Sequence, residues 1–250
     1  MVYVYPYFYV FGYWILFFSF INNPKLAIIT WLAMTAWLLI AAVGIGGRHG
    51  LIRHWDLWLN YLIFTWTSFG IVLILASPVT RNLYSIVTGI VSGLLLYAAI
   101  RIVREPHQFI ARNFVRVSGF VNTLSLWQAA AVIYFMVTSY NAPLSYGVVI
   151  IGLLAFILGR GVINAHGLRK SSAGLVLLTL ALTTGEIALY SRLLPVHYYV
   201  RATIVASWFY LIIEMVLAGQ EISSRRAIFR RYLILLTTIL AALLLTAAWQ

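Results

Sequence analysis

The chain contains no cysteine. That absence removes disulfides, thiolate metal centres, cysteine nucleophiles and iron–sulfur clusters together. Acidic residues are almost as scarce, with Asp56, Glu105, Glu186, Glu214 and Glu221 standing against 17 Lys and Arg for a net charge of +12. Paired acidic motifs of the prenyl-transfer kind and a paired-Glu membrane protease motif are missing, as is a P-loop. The two lysines, Lys25 and Lys170, lie between apolar runs, so the last runs hold no lysine for a retinal Schiff base. Charged residues of all kinds make up only 9% of the chain, against about a quarter in soluble domains. No stretch is polar enough for an appended soluble module.

What is present is apolar. Hydrophobic residues make up 63% of the 250 positions and the mean hydropathy is +0.97. Apolar runs of spanning length, cut by charged or Pro/Gly/Asn-containing breaks, predict helices near 3–21, 26–47, 57–77, 83–103, 120–140, 144–165, 173–193, 199–218 and 232–249. Each is close to the about 20 residues that a hydrocarbon core of about 30 Å requires. Backbone groups inside lipid must bond within their own segment, so helices are the economical solution. The expected fold is an all-α polytopic bundle of about nine spans in a single domain. The first run is the least regular, since Tyr3, Tyr5, Tyr7 and Tyr9 alternate as in a strand, while Pro6 suits the first turn of a helix. It has no basic residue before Lys25 and so reads as a retained span rather than a secretory leader.

Sidedness follows from the basic residues. With nine spans, the even-numbered loops carry Arg48 and Arg53, Arg101, Arg104, Arg112 and Arg116, Arg169 and Lys170, and Arg225, Arg226, Arg230 and Arg231. The odd-numbered loops carry only Lys25, Arg81, Arg192 and Arg201. The positive-inside bias then puts the even loops in the cytoplasm and both termini outside, in a cytoplasmic membrane. In the two richest loops, Arg112 and Arg116, and Arg225, Arg226, Arg230 and Arg231, alternate with apolar residues. Each is expected to lie on the membrane surface against anionic lipid, the first as a short interfacial helix. A basic excess placed this way calls for lipid rather than nucleic acid as partner.

Ser85, Gly89 and Gly93 recur every four residues in the fourth run and predict a face for close helix packing. Three ionisable residues lie at depth: Arg160 in the sixth run, Glu186 in the seventh and Glu214 in the eighth. Each costs about 2.5–3.5 kcal/mol near the bilayer centre unless it finds a partner or water. Arg160 and Glu214 both belong to the inner half and are expected to pair if their helices are neighbours. Glu186 is a candidate for binding a proton or a cationic group. Asn60, Asn122, Gln128, Asn164 and His166 are read as hydrogen-bonding glue between helices.

Catalytic patterns fail on spacing or number. His49, His54 and Asp56 resemble one histidine box of membrane di-iron enzymes, but the chain holds five histidines where such a centre takes about eight, and no fourth ligand stands nearby. Gly89 to Gly93 resembles the serine motif of rhomboid proteases, with His166 in a later run, but is one residue too long. Ser191-Arg192 with His197 resembles one fragment of a lipid phosphatase signature, one residue short and without its companions. No cofactor or metal site is expected. The reading that ranks first is transport or handling of a small or lipid-like solute. A non-catalytic subunit or assembly factor among other membrane subunits ranks second, and an intramembrane enzyme third.

Overall fold

The computed structural model describes residues 5–53, 55–104, 109–165 and 173–218, together with positions 230, 233, 234, 237 and 241. The eight α-helices are α1 (Tyr5–Asn22), α2 (Ala27–Arg53), α3 (Trp55–Ile74), α4 (Pro78–Arg104), α5 (Phe109–Tyr140), α6 (Leu144–Ala165), α7 (Ala173–Ser191) and α8 (Tyr198–Ala218). A 3-10 turn, Pro24–Leu26, joins the first two. Seven helices, α2 to α8, are long and apolar enough to cross a membrane, so by helix length and composition the chain is a multi-pass membrane protein. The expected ninth span, 232–249, lies outside the described residues apart from isolated helical positions.

Local chemistry sets the helix ends. α4 starts five residues before the expected 83, at Pro78. Proline suits a first helical position because its missing N–H would have no partner there. The Arg81 N–H then opens the helical ladder on the Ser77 carbonyl at 3.0 Å. α5 ends at Tyr140, where Asn141 takes a left-handed conformation with φ of 53°. Asn tolerates that region better than other side chains, and Pro143 ends the three-residue turn before α6. α1 is helical in spite of its alternating tyrosines, though its apolar stretch, Pro6–Ile21, is shorter than those of the other seven.

Two expected loops are helical. α2 continues through Gly46, Gly47 and Gly50 to Arg53, and only His54 separates it from α3. The segment expected as a separate interfacial helix, around Arg112 and Arg116, instead forms the first turns of α5. The apolar span within α5 is Ser118–Tyr140. The whole helix has 32 residues, and at 1.5 Å per residue it is about 48 Å long, well beyond a hydrocarbon core of about 30 Å. Its basic start therefore extends past the apolar layer.

The chain divides into two compact units, Met1–Arg116 and Val117–Gln250. In the first, α1 lies against α4 and α2, while α3 touches α2 and α4. The core here is aromatic and aliphatic, with Tyr13, Phe17, Met34, Leu38, Phe64, Ile71, Leu96 and Ile100 all buried. In the second, α7 packs closely on both α6 and α8, and α6 also meets α8. α5 is tied to the same group by bridging side chains. Asn122 Nδ2 donates to the Leu158 carbonyl on α6 at 3.2 Å, and Trp127 Nε1 to Thr203 on α8 at 3.0 Å. Outward faces are apolar in both units, with Ile28, Ile29 and Leu32 on α2 and Leu175, Leu178 and Leu182 on α7 all exposed. A lipid-facing surface requires this, since hydrocarbon is the solvent there.

Candidate functional site

α1 carries Tyr9, Tyr13, Phe17 and Phe20 on one face, all buried, at the three- and four-residue spacing of a helix stripe. The Tyr13 ring stacks on Phe17 with centroids 4.5 Å apart, and Phe17 meets Phe69 of α3 edge-on at 5.8 Å. The phenol ends form a polar cluster inside this apolar column. Tyr13 donates to Thr88 Oγ1 at 3.3 Å, and Tyr61 of α3 donates to the Ser92 carbonyl of α4 at 2.7 Å. Thr65, Ser85 and Thr88 turn their hydroxyls back onto carbonyls of their own helices, which satisfies them without a second helix. Two hydroxyls close no hydrogen bond, those of Tyr9 and Ser92. Both residues are at most 2% exposed. Tyr9 still faces the hydroxyls of Tyr61 and Thr65. This cluster was not anticipated, because the alternation at the start of the chain masked the four-residue spacing of Tyr9 and Tyr13.

Gly89 and Gly93 of α4 face α1. A Cβ on Gly89 would collide with the Trp14 indole, and would lie 2.8 Å from its Cδ1 and 3.2 Å from Tyr13 Cδ1. A Cβ on Gly93 would collide with Val10, and Ser85 is buried one turn before Gly89. Only residues without a side chain let these two helices approach so closely.

The ionisable residues are in the second unit. Gly159 of α6 faces Leu180 and Leu177 of α7, and a Cβ there would lie 3.6 Å from Ile213 Cδ1 of α8. Arg160 and Glu214, the next residues along, therefore lie at one level of the unit. Arg160 is exposed and Glu214 half-buried. Glu186 is exposed on the side of α7 opposite the buried Thr184. Its neighbours on that face are Leu178, Leu182, Leu189 and Tyr190, with Thr183 one turn before it and Thr179 exposed a turn earlier, so the carboxyl lies in a mainly apolar stripe.

The α7–α8 turn gathers polar and aromatic groups. The Tyr134 hydroxyl of α5 donates to the Ala188 carbonyl at 2.7 Å and lies 2.5 Å from Ser191 Oγ, so both close the end of α7. Val196 is buried and anchors the turn. His197 caps the start of α8: its carbonyl accepts from Val200 N–H at 2.9 Å, and its Nδ1 accepts from Tyr199 N–H at 3.4 Å. Burial, and after it the nearby Arg201 charge, hold the His197 imidazole below its ordinary pKa. Arg201 reaches back to the Leu194 carbonyl with Nη2 at 3.0 Å, while its Nε is shielded and closes no hydrogen bond.

Arg225, Arg226, Arg231 and His166 lie outside the described residues, as does His54, and Arg230 is exposed. Among the described residues no three of His, Asp and Glu come together as a metal site would require. Comparison with protein-family models, curated proteins and solved structures finds no match to this chain.

Proposed function

We propose that this multi-pass membrane protein transports or otherwise handles a small or lipid-like solute in a cytoplasmic membrane, with Glu186 as its proton- or cation-binding group. The observation that carries the reading is a carboxyl in the middle of an apolar, exposed helix face. A charge at the bilayer centre costs about 2.5–3.5 kcal/mol; Glu186 lies within the Ala173–Ser191 span, past its midpoint, and a role in binding offsets the cost of placing it there. Arg160 and Glu214, at one level of α6 and α8, are candidates for a second polar station that opposes or braces the first. The test is proton entry into dye-loaded vesicles containing the purified chain, under an imposed pH gradient and membrane potential. Wild type should pass protons faster than Glu186→Gln. Equal flux, with the variant keeping the wild-type melting midpoint, removes Glu186 from the mechanism.

The exposed placement of Glu186 also favours a second reading, in which the chain is a subunit of a larger membrane complex. There a helix of another subunit covers the α7 stripe and presents a hydrogen-bond donor to the carboxyl. Extraction in a mild detergent distinguishes the two. Co-purification of a membrane partner in fixed ratio, lost in Glu186→Leu, supports the subunit.

A further inference from the structure

The α7–α8 turn has a charge arrangement that neither reading uses. Arg192 follows α7 directly, and Arg201 lies in the first turn of α8. Both spans end here, at Ser191 and Tyr198, so the guanidinium groups sit where apolar helix gives way to the polar layer. No acidic residue stands in the first turn of α8. No carboxylate forms an ion pair with Arg192 or Arg201 among the described residues.

That arrangement works against itself in the protein alone. A helix N-terminus carries the positive end of the backbone dipole, worth roughly half a charge. Placing Arg201 there, close enough to Arg192 for their charges to interact, adds like charge to like. The Arg201 Nε, buried and without an acceptor, leaves a strong donor unused in a site where such a loss is costly. An anion lying between the exposed Arg192 guanidinium and the half-buried Arg201 one offsets this repulsion. The surroundings suit an anion with an apolar attachment. Tyr190 and Tyr140 are exposed, as residues of an interfacial aromatic belt are. Tyr199 stacks on Trp127 at 5.9 Å and walls the turn on its inner side.

We propose that Arg192 and Arg201, at the start of α8, form a binding site for a phosphate group. Guanidinium groups pair with phosphate oxygens through parallel N–H donors, which gives both strength and orientation. The phosphate comes either from the headgroup of an anionic phospholipid or from a free phosphate ion. The site stands whether or not Glu186 carries protons.

The experiment uses the full chain, purified in an uncharged detergent, and follows its melting midpoint. Short-chain phosphatidylglycerol and inorganic phosphate are titrated separately, with potassium chloride at matched ionic strength as reference. Wild type should show a saturable rise with phosphatidylglycerol, and Arg192→Gln/Arg201→Gln should weaken the apparent affinity about tenfold or more. Arg192→Gln alone, which leaves the Arg201–Leu194 bond intact, should weaken it by a smaller factor, about threefold. A rise with the lipid only assigns the site to a headgroup; an equal rise with inorganic phosphate assigns it to the free ion. The proposal is overturned if neither probe shifts the midpoint more than chloride does, or if the double variant binds as wild type does. If the double variant does not fold, undiminished affinity in Arg192→Gln overturns it by itself.

Discussion

Replacing Gly89 with alanine tests how α1 is held on α4. The new methyl would enter the space of the Trp14 indole, with 2.8 Å to Cδ1 and 3.2 Å to Tyr13 Cδ1. The indole is half-buried, and its Nε1 is shielded, so it cannot swing away without uncovering α1. Overfilling a close-packed core costs about 1–3 kcal/mol. Against this, alanine is about 1 kcal/mol better than glycine inside a helix. The net expectation for Gly89→Ala is a loss of about 0–2 kcal/mol. In a Trp14→Ala background the collision with the indole is gone, and the helix gain is opposed only by the 3.2 Å approach to Tyr13 Cδ1. The same substitution should then stabilise by up to about 1 kcal/mol. The cycle should therefore show a coupling of about 1–3 kcal/mol between positions 14 and 89. Unfolding in mixed micelles, followed by helical circular dichroism, measures all four proteins. If Gly89→Ala has the same effect in both backgrounds, to within about 0.5 kcal/mol, the contact between α1 and α4 is not what sets that position.

Tyr134→Phe removes the hydroxyl that bonds Ala188 and Ser191 but keeps a ring that is 1% exposed. It should cost about 1 kcal/mol, whereas Tyr134→Ala should cost about 3–5 kcal/mol; equal losses in the same unfolding assay would place the energy elsewhere. The His197 imidazole is held below its ordinary value of 6.5 by burial and then by Arg201. The unfolded chain thus takes up a proton that the folded chain refuses. The stability this group contributes is full above about pH 6.5 and is lost as pH falls through the lower folded value. His197→Gln should flatten the fall in melting midpoint between pH 7.5 and 5.5, and an unchanged fall would exclude His197 as its source. Sidedness can be read without background labelling because the chain has no cysteine. Single Arg112→Cys and Arg226→Cys variants should react with an impermeant thiol reagent from the same, cytoplasmic side, and labelling from opposite sides would refute the alternation of the basic loops.

Composition and the length of the apolar runs determined the class of this protein by themselves. Hydrocarbon admits no unbonded backbone, so a run of about 20 apolar residues has one economical conformation. Helices α3, α6 and α8 accordingly fall within a few residues of their expected limits. Helix ends were less legible. At Pro78 and along the glycines of α2, a residue that often breaks a helix also fits at its first turn or can be carried within it. The basic segment before Ser118 reads equally well as a surface helix or as the start of α5, since both are amphipathic. Tertiary structure alone decided which groups meet. Ser85, Gly89 and Gly93 were visible as a stripe, but α1 as the helix that the two glycines face was not, and neither was the convergence of Tyr9, Tyr13 and Tyr61. The depth of Glu186 could be read along its helix, while its position on an exposed face rather than inside the unit could not. Periodicity reports the conformation of a segment because neighbours in sequence set it. Which face is covered depends on contacts between residues far apart in the chain, here 75 positions between Tyr13 and Thr88, and no local pattern encodes them.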